Sequence, residues 1–592
     1  MAFSGGILAV CRIGVSLHPP LYGYLVAAFL GVASSGIFLS GLMTLSGTNV
    51  SGSTRVVYPV PIYAALIGAG GDLFFRALGN TFDITIYGIT PHLQSSLLLV
   101  MPLALLFCIT LIKWYQNQPE KQHSDSALQS GVTRTLAWYG ISLGAVAFLF
   151  LAVLAYPNTV SRWTGGSYAV FLIVQASALG GAILCSVLPQ GKRFISSPSS
   201  SILGGLILLV TVVFLTYTSR PLTVSILTGL SLGMLPILFF HHLSALKLSQ
   251  MSTRQVGAFF TIAAASMICF MIFSVFTLTH SYLPGMELLR DQIGTLLIIA
   301  AVIIVITTLT TWSSATQVSI SSGQQLSSSL LILLAISIIV GPLLCIGLYP
   351  GPHPAHPRNE SLVLMTYNIH QGYNTEGKIN PWDILEPFNE ANPHVIVLQE
   401  SDMNRITSTN VDIVQWLAQK LDMYSYFGPP TRHQVYGVTI LSKFPLTNTE
   451  TYFLTSREDQ RVLIRGDIEY RDSSISIYGV HMGLSGEDRT TQTAQILDIL
   501  SRNPLDKILM GDLNSTPDSP QMEAFLRLFS DVWTAAGYSA DDPSSFTFSS
   551  THREKHIDYI LIMKAWESRA KNCAVISDVY ASDHLPMWAE II

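Results

Sequence analysis

Two kinds of hydrophobic patterning divide this chain. Through residue 349 the apolar residues come in long blocks with hardly a charge inside them. From residue 360 onward they come in short runs broken by polar and turn residues. A bilayer-spanning helix needs about 20 mostly apolar residues, and about ten stretches qualify. They are 22–44, 58–75, 93–113, 134–155, 166–188, 200–217, 221–245, 256–279, 291–311 and 328–349. The second is the weakest, being short, Gly-rich and followed by Arg76. A soluble helical core does not stack so many apolar runs, so residues 1–349 are expected to form an all-α polytopic transmembrane bundle. No short apolar run near Met1 ends in a convincing small-residue cleavage site, so a cleavable leader is not expected.

Tyr349–Pro357 carries four prolines in nine residues. It cannot be helical, and residues 350–359 are read as an extended linker, with His353 and His356 as linker residues rather than ligands. Residues 360–592 then read as a separate α+β domain. Strands are expected at Leu362–Tyr367, His394–Leu398, Val438–Leu441, Val462–Ile468, Ser476–Val480, Lys507–Met510, His556–Met563 and Pro586–Ile592. Asp412–Leu421 and Asp488–Leu500 carry helical spacing.

Charge sharpens the division. Residues 1–359 hold 14 Lys+Arg against 6 Asp+Glu, and residues 360–592 hold 18 against 31. The first part is nearly uncharged and the second is strongly acidic, which argues against nucleic acid as a partner. Basic residues cluster in alternate loops: Lys113, Lys121 and Arg134; Lys192 and Arg193; Lys247 and Arg254. The positive-inside rule makes those loops cytoplasmic and places the C-terminal domain on the lumenal, periplasmic or extracellular face. Only Cys573 of the six cysteines lies in the polar part, so that domain has no internal disulfide. Inside the spans, Asp72 with Arg76 and the pair His241–His242 are the ionisable groups that stand out, equally readable as functional or interfacial.

Polar residues end the expected strands. Asn368 ends the first, Glu400 the second; His481 follows Tyr-Gly-Val; Asp512 and Asn514 sit in Gly-Asp-Leu-Asn; Asp558 sits in His-Ile-Asp-Tyr-Ile; Asp583 and His584 precede the last strand. Several strands ending at one rim converge on one pocket. Carboxylate and amide oxygens suit a hard divalent cation, and Asn368, Glu400 and Asp583 can supply them. Phosphodiester cleavage needs an activated water and neutralised phosphoryl oxygens. Asp512 or an Asp–His pair can serve as base, and Asn514 and His481 can donate to phosphate. Each motif alone is weak, since Gly-Asp-Leu-Asn is usually a turn. The ordered set is what carries the reading.

That set, from Tyr-Asn368-Ile-His and Leu-Gln-Glu400 through Tyr436-Gly-Val-Thr-Ile-Leu-Ser-Lys-Phe-Pro, Gly-Val-His481, Gly-Asp512-Leu-Asn514 and Ile-Asp558-Tyr to Ser-Asp583-His584, resembles the endonuclease/exonuclease/phosphatase superfamily. The resemblance implies a DNase I-like four-layer αββα sandwich and dependence on Mg2+, with Mn2+ as a substitute. It implies that Glu400, Asn368 and Asp583 stand on the metal side. It makes Asp512 the group polarising the attacking water and Asn514 its orienter. His584, held by Asp558, would contact the scissile phosphate, and His481 would stabilise the transition state. A multi-span part joined to such a domain is similar to the Cwh43 family, as are Trp416-Leu-Ala-Gln-Lys-Leu, Phe427-Gly-Pro-Pro-Thr-Arg432 and Val480-His-Met-Gly-Leu-Ser-Gly-Glu-Asp-Arg489. This implies an extracytoplasmic phosphodiesterase acting on a membrane lipid or lipid-anchored head group, with remodelling of glycosylphosphatidylinositol anchors as the narrower expectation. A membrane-tethered nuclease is the alternative. Arg432 and Tyr436 are candidate substrate contacts, and Tyr424–Pro430 a candidate aromatic lip at the interface.

Overall fold

The structure is a computed structural model. It describes residues 59–87, 131–195, 197–245, 253–278, 283, 285–310, 328–349, 351–353, 361–379, 381–402, 404–406, 410–428, 435–457, 459–471 and 473–592. Its compact units are two: Met1–Val275 with Gln292–Leu348, and Phe276–Asp291 with Tyr349–Ile592. Hydropathy alone does not foresee that a loop between two apolar helices belongs with the C-terminal unit.

Among the described residues, seven helices are long and apolar enough to cross a membrane: Leu136–Leu154, Tyr168–Val187, Pro198–Tyr217, Pro221–Phe239, Arg254–Leu278, Ile293–Thr310 and Ser328–Ile346. Each overlaps an expected span. The weak second span forms a helix over Pro59–Leu78 but is not among the seven. The stretches 22–44 and 93–113 lie outside the described residues.

Apolar side chains alone do not hold helices together in lipid, so close backbone approach and buried hydrogen bonds matter. A Cβ on Gly144 would stand 2.4 Å from the Ala263 carbonyl oxygen, so glycine lets those two helices touch. Thr211 Oγ1 meets Ser231 Oγ at 2.7 Å, and Ser142 Oγ meets His242 Nε2 at 2.7 Å, both buried. The other ring nitrogen of His242 bonds the Leu238 carbonyl at 2.6 Å. Arg76 Nε donates to Asp72 at 3.0 Å, and its guanidinium lies over the Tyr156 ring. Thr211 with Ser231 and Ser142 with His242 thus join neighbouring helices, while Asp72 holds Arg76 along one helix.

The second unit carries two six-stranded sheets. One has the order β11-β12-β1-β2-β4-β3 and the other β5-β6-β7-β8-β10-β9. The strands are β1 (Leu362–Asn368), β2 (Val395–Asp402), β3 (Tyr424–Gly428), β4 (Tyr436–Ser442), β5 (Thr447–Leu454), β6 (Arg461–Tyr470), β7 (Ser473–His481), β8 (Asp506–Asp512), β9 (Phe529–Asp531), β10 (Asp558–Met563), β11 (Ala570–Val575) and β12 (Met587–Ile591). All eight expected strands are present.

Side chains alternate across the strands with period two, and this builds the layers. Leu362, Leu364, Val395, Val397, Ile475, Ile477, Ile508, Met510, Ile560 and Ile562 point between the sheets into one core. Tyr478, Val480, Leu509, Tyr559 and Leu561 point outward from the second sheet. They pack on Ile496 and Leu500 of helix Gly486–Ser501 and on Met522 and Phe525 of helix Pro520–Leu526. On the other side, Tyr367 meets Phe388 of helix Pro381–Ala391. Trp382 of that helix meets Trp416 of helix Ile413–Lys420 edge to face. The arrangement is helices, sheet, sheet, helices: the αββα sandwich expected. Asp412 caps its helix by accepting from Gln415 N at 2.8 Å, and Ser485 caps the next by accepting from Asp488 N at 3.1 Å.

Candidate active site

Strand register gathers the polar strand ends. β1 and β2 run parallel with Asn368 opposite Gln399, so Glu400 follows directly beside Asn368. β7 and β8 run parallel with His481 opposite Asp512. β10 runs antiparallel to β8 with Asp558 opposite Asp512. The carboxyl ends of four strands and the start of a fifth thus meet at one rim.

Local backbone devices aim the side chains. The β2–β4 pairing slips between Leu398 and Ser401, and Glu400 within that bulge has φ +49°. A bulge of this kind re-aims a side chain out of the sheet. Asn514 (φ +47°), His370 (φ +44°) and Gln371 (φ +58°) share the left-handed conformation. Non-glycine residues rarely adopt it, and such strain collects at functional sites.

The centre is a buried chain of polar groups. Asp558 Oδ2 bonds His584 Nδ1 at 2.8 Å, and His584 Nε2 stands 3.7 Å from Asp512 Oδ2. Asn368 Nδ2 donates to Asp512 Oδ2 at 3.1 Å, and the Asn514 amide N–H donates to Asp512 Oδ1 at 2.9 Å. His481 Nε2 is 3.5 Å from Asp512 Oδ2. Ser582 Oγ donates to the Asn368 carbonyl at 2.7 Å and accepts from His584 N at 3.2 Å, tying the Ser-Asp-His loop to the end of β1. Asn514 Nδ2 donates to the Met482 carbonyl at 2.9 Å, locking the turn after β8 onto β7. Glu400 accepts from Gln371 Nε2 at 3.3 Å, and Gln371 Oε1 accepts from Arg405. Asp583 is half-buried, 3.8 Å from His370 Nδ1.

Arg461 joins this cluster, and sequence reasoning missed it. It opens β6, is only 6% exposed, and directs Nη1 to His481 Nδ1 at 2.8 Å. A guanidinium only donates, so His481 Nδ1 accepts and the proton of the neutral ring sits on Nε2. His481 therefore presents an N–H beside Asp512. The signal available in sequence was an arginine heading an apolar strand antiparallel to the one that ends in His481.

Electrostatics separate the roles. Burial raises Asp512, the Asp558 charge adds to this, and Asp512 stands at about 7. Burial alone would lower His584. The carboxylates of Asp558 and Asp512 outweigh it and raise the imidazole to about 10. Burial, then the Arg461 and His584 charges, hold His481 well below its ordinary value. At neutral pH His584 is a cation, His481 a neutral donor, and Asp512 able to exchange a proton.

Two observations bear on a divalent cation. Ligand atoms of Asp512, Asp558 and His584 lie within 4.8 Å of one another. Asp558 Oδ1 is buried with no hydrogen-bond partner among the described residues. An orphaned acceptor in such a cluster is what a bound ion or water satisfies. His584 as a cation on Asp558 is a poor ligand, whereas Glu400, Asp583 and the Asn368 amide offer oxygens at the same rim. The donor set fits a hard cation.

Of the substrate contacts expected, Tyr436 is buried with its hydroxyl 3.5 Å from Arg461 Nη1. Arg432 lies outside the described residues, as do 429 and 430 of the expected lip. Tyr424, Tyr426 and Phe427 are part of β3, and Tyr426 Oη bonds Thr451 Oγ1 at 2.8 Å. His353 pairs with exposed Asp422 at 3.2 Å and takes no part in the site. His356 lies outside the described residues.

Comparison with known proteins gives several likenesses. Residues 359–532 match the family model "PGAP2IP, C-terminal nuclease-like domain". Protein cwh43 of Schizosaccharomyces pombe is 26% identical over 161 residues, which is 27% of this chain and 17% of that relative's length. Among solved structures, the mannosyl-6-phosphatase Bt3783 of Bacteroides thetaiotaomicron is 16% identical, covering 39% of this chain and 99% of its own, with a TM-score of 0.33. Truncated Caenorhabditis elegans TDP2 is 18% identical, covering 39% and 98%, with a TM-score of 0.30.

Proposed function

We propose, from the premise of a nuclease-like domain of the endonuclease/exonuclease/phosphatase kind carried by a multi-span membrane unit, that this protein is a divalent-metal-dependent phosphodiesterase. Its substrate is a membrane lipid or a lipid-anchored head group. The observation that carries the reaction class is the buried Asp558–His584–Asp512 chain with neutral His481 beside it. The support for a lipid is the covalent continuity of this unit with a membrane unit, which keeps it near the bilayer. The acidic balance of residues 360–592 also disfavours a polyanionic nucleic acid.

Glu400, Asn368 and Asp583 would hold the cation, with Mg2+ the expected ion. When bound, it neutralises phosphoryl charge and acidifies water. The chain's own groups do the rest. Asp512, held near 7, takes the proton from the attacking water, since His584 already carries its proton. His584 donates from Nε2 to a phosphoryl oxygen, and Asp558 keeps it cationic and aimed. His481 donates from Nε2–H, and Arg461 fixes that tautomer and adds a buried positive charge. The basic residues of the alternate loops support a site on the non-cytoplasmic face. The resemblance to Cwh43 supports a glycosylated inositol lipid as the head group to try first.

The test is cleavage by purified full-length protein with Mg2+, on phospholipids, glycosylated inositol lipids and single-stranded DNA. Lipid cleavage that EDTA, Glu400→Ala and His584→Ala each abolish is the expected result. Cleavage of DNA with no lipid turnover makes it a tethered nuclease, and inactivity on the whole panel overturns the assignment.

A further inference from the structure

The loop between helices Thr253–Leu278 and Ile293–Thr310 is built into the C-terminal unit. Its base is closed by Asp291 N donating to the Thr277 carbonyl at 3.1 Å, and a 3-10 turn spans Glu287–Leu289. Arg290, next to that turn, reaches the β5–β6 connection. Its Nη1 donates to the Ser456 carbonyl at 3.3 Å and its Nη2 to Gln460 Oε1 at 3.1 Å.

Both acceptors sit at the root of Arg461. Gln460 Nε2 donates to the Leu454 carbonyl at 2.6 Å and to the Arg461 carbonyl at 2.9 Å. Ser456 Oγ accepts from Arg461 N at 3.0 Å. Arg461 then reaches His481. From the other side, helix Gly486–Ser501 holds the same connection through Gln492 Nε2 to the Thr455 carbonyl at 3.0 Å and Asp488 Oδ2 accepting from Arg457 N at 3.0 Å. The helix and Arg290 grip one short connection, and Arg461 directly after it reaches His481.

We infer that Arg290 is a positioning residue for the catalytic site: it braces the Ser456–Gln460 turn so that the Arg461 guanidinium stays on His481. This rests on the phosphodiesterase reading and names the inter-helix loop that the site depends on. Side chains that aim a catalytic group from a distance act on turnover more than on substrate affinity. A contact that merely attached the loop would leave turnover alone.

The experiment uses the full-length chain in nanodiscs and the substrate the wild type cleaves, with Glu400→Ala as the inactive control. Arg290→Ala is expected to lower kcat by about 10- to 100-fold with KM changed less than about twofold. Arg290→Lys, which keeps one donor, should recover part of that loss. Arg290→Ala combined with Arg461→Ala should be no slower than Arg461→Ala alone, because both remove one relay. Unchanged kcat in Arg290→Ala, or losses that multiply, would overturn the inference while leaving the phosphodiesterase reading intact. Hydrogen exchange gives an answer even without a substrate. Peptides covering Ser456–Arg461 and Tyr478–Met482 should exchange faster in Arg290→Ala, and unchanged exchange in both would overturn it as well.

Discussion

The Asp558 and Asp512 carboxylates raise His584 to about 10 against an ordinary 6.5, although burial opposes them. The folded state binds this proton more tightly than the unfolded one. Its contribution to stability is therefore fully present below about pH 6.5 and is lost as pH rises toward 10. In EDTA, the wild-type melting temperature should fall across that window, and the His584→Ala slope should be flatter. Asp512 governs a different observable. With Asp512 as base, kcat/KM should rise with pH to a plateau, its acid limb centred at or below about 7, because a neighbouring cation lowers the carboxylate further. Asp512→Asn should remove the limb together with roughly 100-fold or more of the activity. The ordered polar strand ends made Asn368, Glu400, His481, Asp512, Asp558 and His584 readable from sequence. Arg461 was not, because an arginine before an apolar strand has the same appearance whether it caps a surface or fixes a buried histidine. Its depth, which only the folded sheets provide, decides between them.

At the scale of the element, the strands found from sequence are those with buried alternation on both sheets. β5 was missed because Thr447–Leu454 is exposed along most of its length, so no apolar period marks it. Helix Pro381–Ala391 was missed because Pro387 interrupts its interior. β3, β9 and β11 are short or edge-side, where periodicity is weakest. The β7–β8 pair shows how narrow the tolerance is beside the site. Gly511 has φ +150°, and a Cβ there would lie 1.9 Å from the Val480 carbonyl oxygen. Gly511→Ala must therefore part the two strands at the residue before Asp512. It should cost about 3 kcal/mol by denaturant unfolding, the upper end of ordinary single substitutions.

For the whole molecule, span patterning foresaw the helical membrane unit and each of the seven described spans. It could not show that the loop at residues 276–291 joins the C-terminal unit, because that depends on contacts 166 and 170 residues apart in sequence. The loop charges do give a sidedness that can be measured. Asn359-Glu-Ser adjoins the C-terminal domain, and Asn49-Val-Ser falls on the opposite face under the expected topology. Expressed in a eukaryotic secretory system, the chain should carry a glycan that Asn359→Gln removes, with none at Asn49. A glycan at Asn49 alone would put the catalytic unit in the cytoplasm.

The Arg290 contact also sets a condition on biogenesis. Ile293–Thr310 and Ser328–Ile346 lie between Arg290 and β1, so Arg290 and its acceptors at Ser456 and Gln460 emerge on the same side only if both helices cross the membrane or neither does. If only one of the two inserts, the partners are parted by the bilayer and cannot meet. The ribosome, at about 5–20 residues per second, takes roughly 10–30 seconds to go from Arg290 to its acceptors. Throughout that interval Arg290 waits without its acceptors, so the finished contact requires that the two intervening helices share one fate.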